Sequence, residues 1–280
     1  MTVSSTTKSE LATSYSQVVL PVDFSPQSWR ALALATRLAH AFGVPRHVMH
    51  VDTSSPWLDE GAHAMVVGNG PAGGRVKVDV VAARKPADGI VGMLDQERSL
   101  LVMSTRGHNA AAELVTGSTA DDVLRRWTGP LLLVGPRYKV SAIPFRRIVL
   151  CLDPEFSGMP TALAEDVHAL AAAFDMPIEV LSVMDRGPEA DFNSILRQNL
   201  RLEEATESLA HDERVAKLIR LTGTHPAHDI TQYVDAKHGT IVALTTHARP
   251  PMARVLFGST ALAVLRHATS PMLVRRFPTR

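Results

Sequence analysis

The sequence carries one cysteine, Cys151, in 280 residues. That excludes an internal disulfide framework and any metal site built from several thiolates. Aromatic residues are scarce at 5%, so the cores must rest on Val, Leu, Ile and Ala. Neither sign of charge dominates: 29 Lys and Arg stand against 28 Asp and Glu, a net charge of +1. Such a chain lacks the basic field of a polyanion binder, and nucleic acid is not expected as a partner. No apolar run reaches the ~18 residues of a membrane helix, so no membrane partner is expected either. The opening MTVSSTTKSELATSYSQ has no apolar stretch of the kind that marks a secretion signal. A cytoplasmic protein is the expectation. No G-x-x-x-x-G-K-[ST] run occurs, which excludes a P-loop NTPase.

What is present is ordinary globular composition, 45% hydrophobic and 20% charged, in a length that suits two domains. The chain repeats itself. VVLPVD at 18–23 returns as IVLCLD at 148–153, and VMHV at 48–51 as VLSV at 180–183. LVMS at 101–104 returns as VALT at 242–245, and Gly117-Ser118-Thr119 as Gly258-Ser259-Thr260. PLLLV at 130–134 returns as PMLV at 271–274. Asp23 and Asp153 are 130 residues apart, whereas Gly117 and Gly258 are 141 apart. The order is kept and the slippage is confined to one place, so 184–216 is longer than its counterpart after Val51. This period is a domain duplication, too long for a solenoid unit. The expected division is a mobile Ser- and Thr-rich tail over 1–16, a first domain over 17–138, a linker over 139–145 and a second domain over 146–280.

The runs at 18–22, 47–51, 76–82, 99–103 and 131–135 are short, apolar and rich in β-branched residues, as buried parallel strands are. Helices fall between them. Ser25-Pro26 is a helix start, and Ala31, Ala35, Leu38 and Phe42 recur at helical spacing before Gly43 stops the run. Leu163, Val167, Leu170 and Phe174 hold matching places in the second copy. The fold class is therefore α/β: two tandem doubly wound domains, each a parallel sheet with helices on both faces.

Such sheets bind ligands at the carboxyl ends of their strands, near the switch point. In the first copy Pro21, Val22 and Asp23 end the first strand, His50, Val51 and Asp52 the second, and Ser104 the fourth. Gly117, Ser118 and Thr119 then precede a helix. A glycine lets backbone approach a ligand, and a helix N-terminus presents free N–H groups to a phosphate. Asp23 suits a ribose hydroxyl or a cation, and Val51 can flank a planar base. Plain capping of helices by the same residues is the competing account.

These residues carry a resemblance. The chain resembles a tandem universal stress protein. The family's phosphate signature is Gly, two residues, Gly, nine residues, Gly, then Ser or Thr. The first copy has Ser104, two residues, Gly107, nine residues, Gly117 and Ser118. PVDFS at 21–25 and HV at 50–51 resemble the family's first and second strand ends. The resemblance spans about 17–138 and 146–276. It implies an ATP-binding fold with five-stranded sheets of order 3-2-1-4-5, and pairing of domains through their last strands. It implies that Asp23 and Val51 hold adenine and ribose. It places Gly107, Gly117, Ser118 and Thr119 on the phosphates, with Met103 and Ser104 lining the cleft. The second copy departs further: Thr245 and Ala248 replace both leading glycines, and Pro250 and Pro251 remove two N–H donors. Asp153, Val183, Gly258, Ser259 and Thr260 survive there.

Gly68, Gly70 and Gly73 match a dinucleotide fingerprint, but no full strand precedes them and RVKVDVV follows as a strand, so 66–74 is read as a flexible loop. The twelve histidines, His225, His228 and His211 among them, lack metal-ligand spacing. His50, Asp52 and Ser104 lack the elbow that would expose a nucleophile. Cys151 reads as core. The expectation is a stress-response regulator that binds ATP, with Mg²⁺, in the first domain. No positioned general base is visible, so it is not expected to act as an enzyme with fast turnover. Pairing within the chain leaves room for a homodimer of whole chains and for a regulatory protein partner. A nucleotide-free interaction module of the same fold is the alternative.

Overall fold

The computed structural model describes residues 15–54, 63–70, 74–105, 118–153, 161–184, 192–207, 213–246 and 258–276. The first half begins with β1 (Gln17–Pro21), α1 (Pro26–Trp29) and α2 (Leu32–Phe42), followed by β2 (Arg46–Asp52), β3 (His63–Asn69) and β4 (Arg75–Ala82). It ends with α3 (Pro86–Gly92), β5 (Ser99–Ser104), α4 (Ser118–Arg126) and β6 (Leu131–Val134). The second half opens with β7 (Arg147–Leu152), α5 (Thr161–Phe174), β8 (Ile178–Met184) and α6 (Phe192–Glu207). It closes with β9 (Val215–Thr222), α7 (Pro226–Asp235), β10 (Thr240–Thr246), α8 (Ser259–His267) and β11 (Met272–Arg276).

All strands join one eleven-stranded sheet of order β3-β4-β2-β1-β5-β6-β11-β10-β7-β8-β9. The expected pairing through the last strands is present, and it merges the two expected five-stranded sheets, with β3 added, into one mixed sheet, which corrects the expectation of a parallel sheet per domain. The reason is the seam: β6 and β11 pair antiparallel, Leu132 opposite Leu273, so the open edge of each half is filled by the other. Within each half the core strands keep the order 3-2-1-4-5, as β4-β2-β1-β5-β6 and β9-β8-β7-β10-β11. All core pairings within a half are parallel.

Two apolar layers cover the sheet, and both run through the seam. On one face Leu34 and Leu38 of α2 and Leu163 and Val167 of α5 pack with Leu20, Val134, Ile148 and Leu150. On the other, Ile90, Val123, Trp127, Ile230 and Leu262 pack with Val19, Leu101, Val149 and Val242. Alternate residues of one strand feed opposite layers, which is why the strands read as continuous apolar runs.

Three further readings are refined. The helix after Ser25 breaks into α1 and α2 at Arg30 and Ala31; Ser25 caps α1 through its side chain and Gly43 ends α2 at φ 67°. Residues 66–69 are not loop but part of β3, an antiparallel strand in which Gly68 stands opposite Val76. Gly70 N–H donates to Gly74 O at 2.7 Å where β3 and β4 meet; residues 71–73, with Gly73 of the fingerprint, lie outside the described residues. Tyr15, read as tail, is buried and its hydroxyl donates to Asp166 of α5 at 2.8 Å.

Candidate functional site

The site follows from where the chain crosses the sheet. From β1 the chain leaves over one face through α1 and α2, and it returns to β5 from the other face through α3. The two crossovers diverge around β1 and leave a gap at the carboxyl ends of its neighbours. The gap is a cleft of about 300 Å³.

Its floor is the end of β1. Val22 is buried and its N–H donates to Met49 O at 2.8 Å. Asp23 is exposed at the rim, and its Oδ1 accepts from Ser25 N–H at 3.1 Å and from Ser25 Oγ at 2.5 Å. Ser25 Oγ in turn accepts from Ser28 N–H at 3.2 Å. Ser28 Oγ accepts from Asp23 N–H at 3.3 Å and donates to Ser25 O at 2.9 Å. This closed set of bonds fixes the Asp23 carboxylate and caps α1 at once. Phe24 between them sits at φ 61°, a costly angle for a bulky residue. Its ring lies 4.6 Å from that of His50, centroid to centroid. His50 Nδ1 is 2.8 Å from Val22 O. A carbonyl only accepts, so Nδ1 carries a proton and donates it.

One wall is β2 and α3: Val51 and Thr53 face Pro86 and Ile90. The other wall is Met103 and Ser104 at the end of β5, with Thr119 and Ala120 in the first turn of α4. The N-terminal turn of α4, whose first N–H groups have no partner within the helix, therefore borders the cleft. Burial holds the Asp121 carboxyl above its ordinary range, against the pull of Arg125 and with help from Asp122.

The cleft brings together Pro21, Val22, Asp23, Val51, Met103, Ser104 and Thr119 from the residues expected in the first half. Gly107 and Gly117 lie outside the described residues, as does the side chain of Ser118, which opens α4. The sequence reading missed Ser25, Ser28, His50, Thr53, Pro86, Ile90 and Ala120 as lining residues. His50 and Thr53 flank a position already singled out, and a Pro at a helix start after the third core strand was a signal for Pro86.

In the second half Asp153 ends β7 and is exposed, while Val183 is buried in β8. Gly258 caps α8 without a side-chain bond, and Ser259 and Thr260 form its first turn. Residues 154–160 and 247–257, with Ala248, Pro250 and Pro251, lie outside the described residues. Among the described residues no three His, Cys, Asp or Glu side chains are grouped to hold a metal. Cys151 is buried in β7, and burial pushes its thiol far up, which suits core. No helix among the described residues is long and apolar enough to cross a membrane.

The family model described as the universal stress protein family matches residues 14–69, 66–135 and 144–276, nearly the whole chain. The chain belongs to the universal stress protein family. The match to the first half comes in two pieces that meet within β3, where the hairpin departs from a plain βαβ unit. Universal stress protein MJ0531 of Methanocaldococcus jannaschii is 26% identical over 149 residues, 49% of this chain and 85% of that one. Among solved structures, a functionally unknown protein from Pseudomonas aeruginosa aligns with a TM-score of 0.63 at 15% identity, over 94% of this chain and 93% of its own. A universal stress protein from Archaeoglobus fulgidus aligns with a TM-score of 0.62 at 19% identity, over 93% and 96%. These alignments span both halves, so the tandem arrangement itself is shared.

Proposed function

We propose that the first half binds an adenine nucleotide, ATP with its Mg²⁺, and that occupancy regulates a stress response through conformation or a protein partner. The observation that carries this is the cleft at the switch point. It joins an apolar wall, Val51 with Ile90, to a helix N-terminus with hydroxyl-bearing Thr119 at its opening. An apolar slot suits a base, and free N–H groups suit phosphates. Asp23, held by Ser25, offers an acceptor for a sugar hydroxyl. The spaced run Ser104, Gly107, Gly117, Ser118 supplies the loop between β5 and α4. A universal stress protein from Archaeoglobus fulgidus has been solved in complex with dAMP, and a universal stress protein in complex with cAMP. In this chain it is the cleft itself that supports nucleotide binding.

Among the described residues the lining holds no Lys or Arg, and the Asp23 carboxylate is engaged by Ser25; we read the site as a sensor with slow turnover or none. Calorimetric titration of the full chain with Mg-ATP, paired with a phosphate-release assay, tests this. Saturable binding with phosphate release far slower than nucleotide exchange supports it. Absence of binding would favour a nucleotide-free interaction module, and rapid hydrolysis would make the protein an enzyme.

A further inference from the structure

The two halves differ at one coupled pair of positions beside the cleft wall. In the first half Gly89 N–H donates to Lys85 O at 3.3 Å and Ala83 N–H to Asp52 O at 3.2 Å. In the second, Asp229 N–H donates to His225 O at 3.1 Å and Gly223 N–H to Met184 O at 3.2 Å. Helices α3 and α7 each have a proline, Pro86 or Pro226, in the first turn. The backbones therefore play the same parts, with Gly89 equivalent to Asp229 and Ala83 to Gly223. The side chains are exchanged. A Cβ on Gly89 would stand 2.8 Å from both methyls of Val51 and 3.4 Å from the Cβ of Ala83. A Cβ on Gly223 would fall 1.9 Å from Asp229 Oδ2. The bare Gly223 thus makes room for the carboxylate of Asp229, on the side where Ala83 carries its methyl. Asp229 Oδ2 is buried and has no hydrogen-bond partner among the described residues.

We infer that Asp229 sets the specificity of the second half against the ligand of the first. It places a carboxylate against Gly223, at the position whose first-half counterpart, the bare Gly89, abuts Val51 of the cleft. This rests on the reading that the first cleft takes an adenine nucleotide. A nucleotide carries several negative charges, which a poorly screened carboxylate repels. The oxygen is already out of water with no donor on it among the described residues, so nothing near it offsets that repulsion, and binding weakens. A first-turn Asp also suits the helix dipole, but a solvent-facing side chain meets that need and would leave the matching Gly223 without a reason.

The test moves the device into the first half. Two double variants of the full chain are compared with wild type: Ala83→Gly with Gly89→Asp, and Ala83→Gly with Gly89→Asn. The second half shows that the packing accepts such a side chain, and circular dichroism with urea unfolding checks the fold. Mg-ATP is titrated calorimetrically. The Asp variant is expected to bind about tenfold more weakly than wild type or worse, and the Asn variant at least about fivefold more tightly than the Asp variant. Wild-type affinity in the Asp variant, or equal losses in the Asp and Asn variants, would overturn the assignment. If wild type itself binds no nucleotide, the reading of the first cleft fails and this one falls with it.

Discussion

Between its second and third core strands the first half passes through an antiparallel strand, β3, at the edge of the sheet. The second half makes the same crossing through the 16-residue helix α6. The contrast extends inward. Among the described residues the buried charged side chains are Asp166, Glu179 and Arg275, all in the second half, whereas the buried polar side chains of the first are Ser28, Ser99 and Thr105. One duplicated unit has kept an open cleft with hydroxyl and backbone groups around it. The other has acquired fixed ionic contacts. The difference teaches that a holding role can settle in one duplicated half while the sheet stays continuous; on the proposed reading, binding stays with the other.

The holding role predicts the largest effect. Arg275 donates to both oxygens of Asp166, at 2.9 and 3.2 Å, and also to Glu97 of the first half. With Tyr15 on the same carboxylate, the cluster ties both halves across the seam. Asp166→Ala deprives a buried guanidinium of its buried carboxylate and should cost about 3 kcal/mol in urea unfolding, where loss of a buried pair member is expensive. A change under about 1 kcal/mol would show that the apolar layers alone join the halves.

Glu179 comes next. Its carboxylate takes Arg147 at 3.1 Å, Lys237 at 2.9 Å and the Tyr233 hydroxyl at 2.7 Å. Burial would raise its pKa, but Tyr233, Lys237 and Arg147 outweigh that and hold it below the ordinary range. Its contribution is thus present above the usual carboxylate pKa and lost as pH falls through the depressed value. Glu179→Gln should lower stability near neutrality by about 2 kcal/mol and flatten that acid limb. Asp166 has the opposite sign. Burial raises its pKa despite Arg275, so its titration contribution is full below the usual value and lost as pH rises through the raised one. Unfolding curves for both variants from pH 3 to 8 separate the two; an unchanged acid limb in Glu179→Gln would contradict the assignment.

Binding should then split the halves. Gly117→Ala is expected to weaken Mg-ATP about tenfold, because added bulk obstructs close backbone approach to a phosphate. Gly258→Ala should leave both affinity and stability unchanged, since among the described residues nothing lies within 4 Å of the added methyl. Equal losses in the two variants would make the halves equivalent sites. The smallest effect compares two helix ends. Gly43 closes α2 at φ 67°, while Asp175 stands in the same role after α5 at φ 50°. Asp175→Gly should stabilise the chain by about 0.5–1 kcal/mol in thermal unfolding, and no gain would mean that the aspartate already relieves its strain locally.

Much of this architecture could be read from the sequence, because buried parallel strands and capped helices are local patterns. The repeat gave the order of elements, and Asp23, Val51 and Ser104 were placed by their positions at strand ends. The hairpin was missed because HAMVVGN is short and runs into glycines, so that its partner RVKVDVV alone read as strand. Tyr15 was missed because its partner, the Asp166 carboxylate of α5, lies 151 residues further on. Ser25 and Ser28 were legible as caps but not as cleft walls, since that depends on how α1 leans over β1. The exchange of Ala83 and Gly89 for Gly223 and Asp229 needed the two backbones side by side.

The account centres on one occupied cleft per chain, in the first half. The direct measurement is to purify the native full chain, denature it, and identify and count released nucleotide by mass spectrometry, with Gly117→Ala and Gly258→Ala prepared alongside. The account predicts about one adenine nucleotide per wild-type chain, lost with Gly117→Ala and kept with Gly258→Ala. Two nucleotides per chain, or none even after incubation with Mg-ATP, would contradict it.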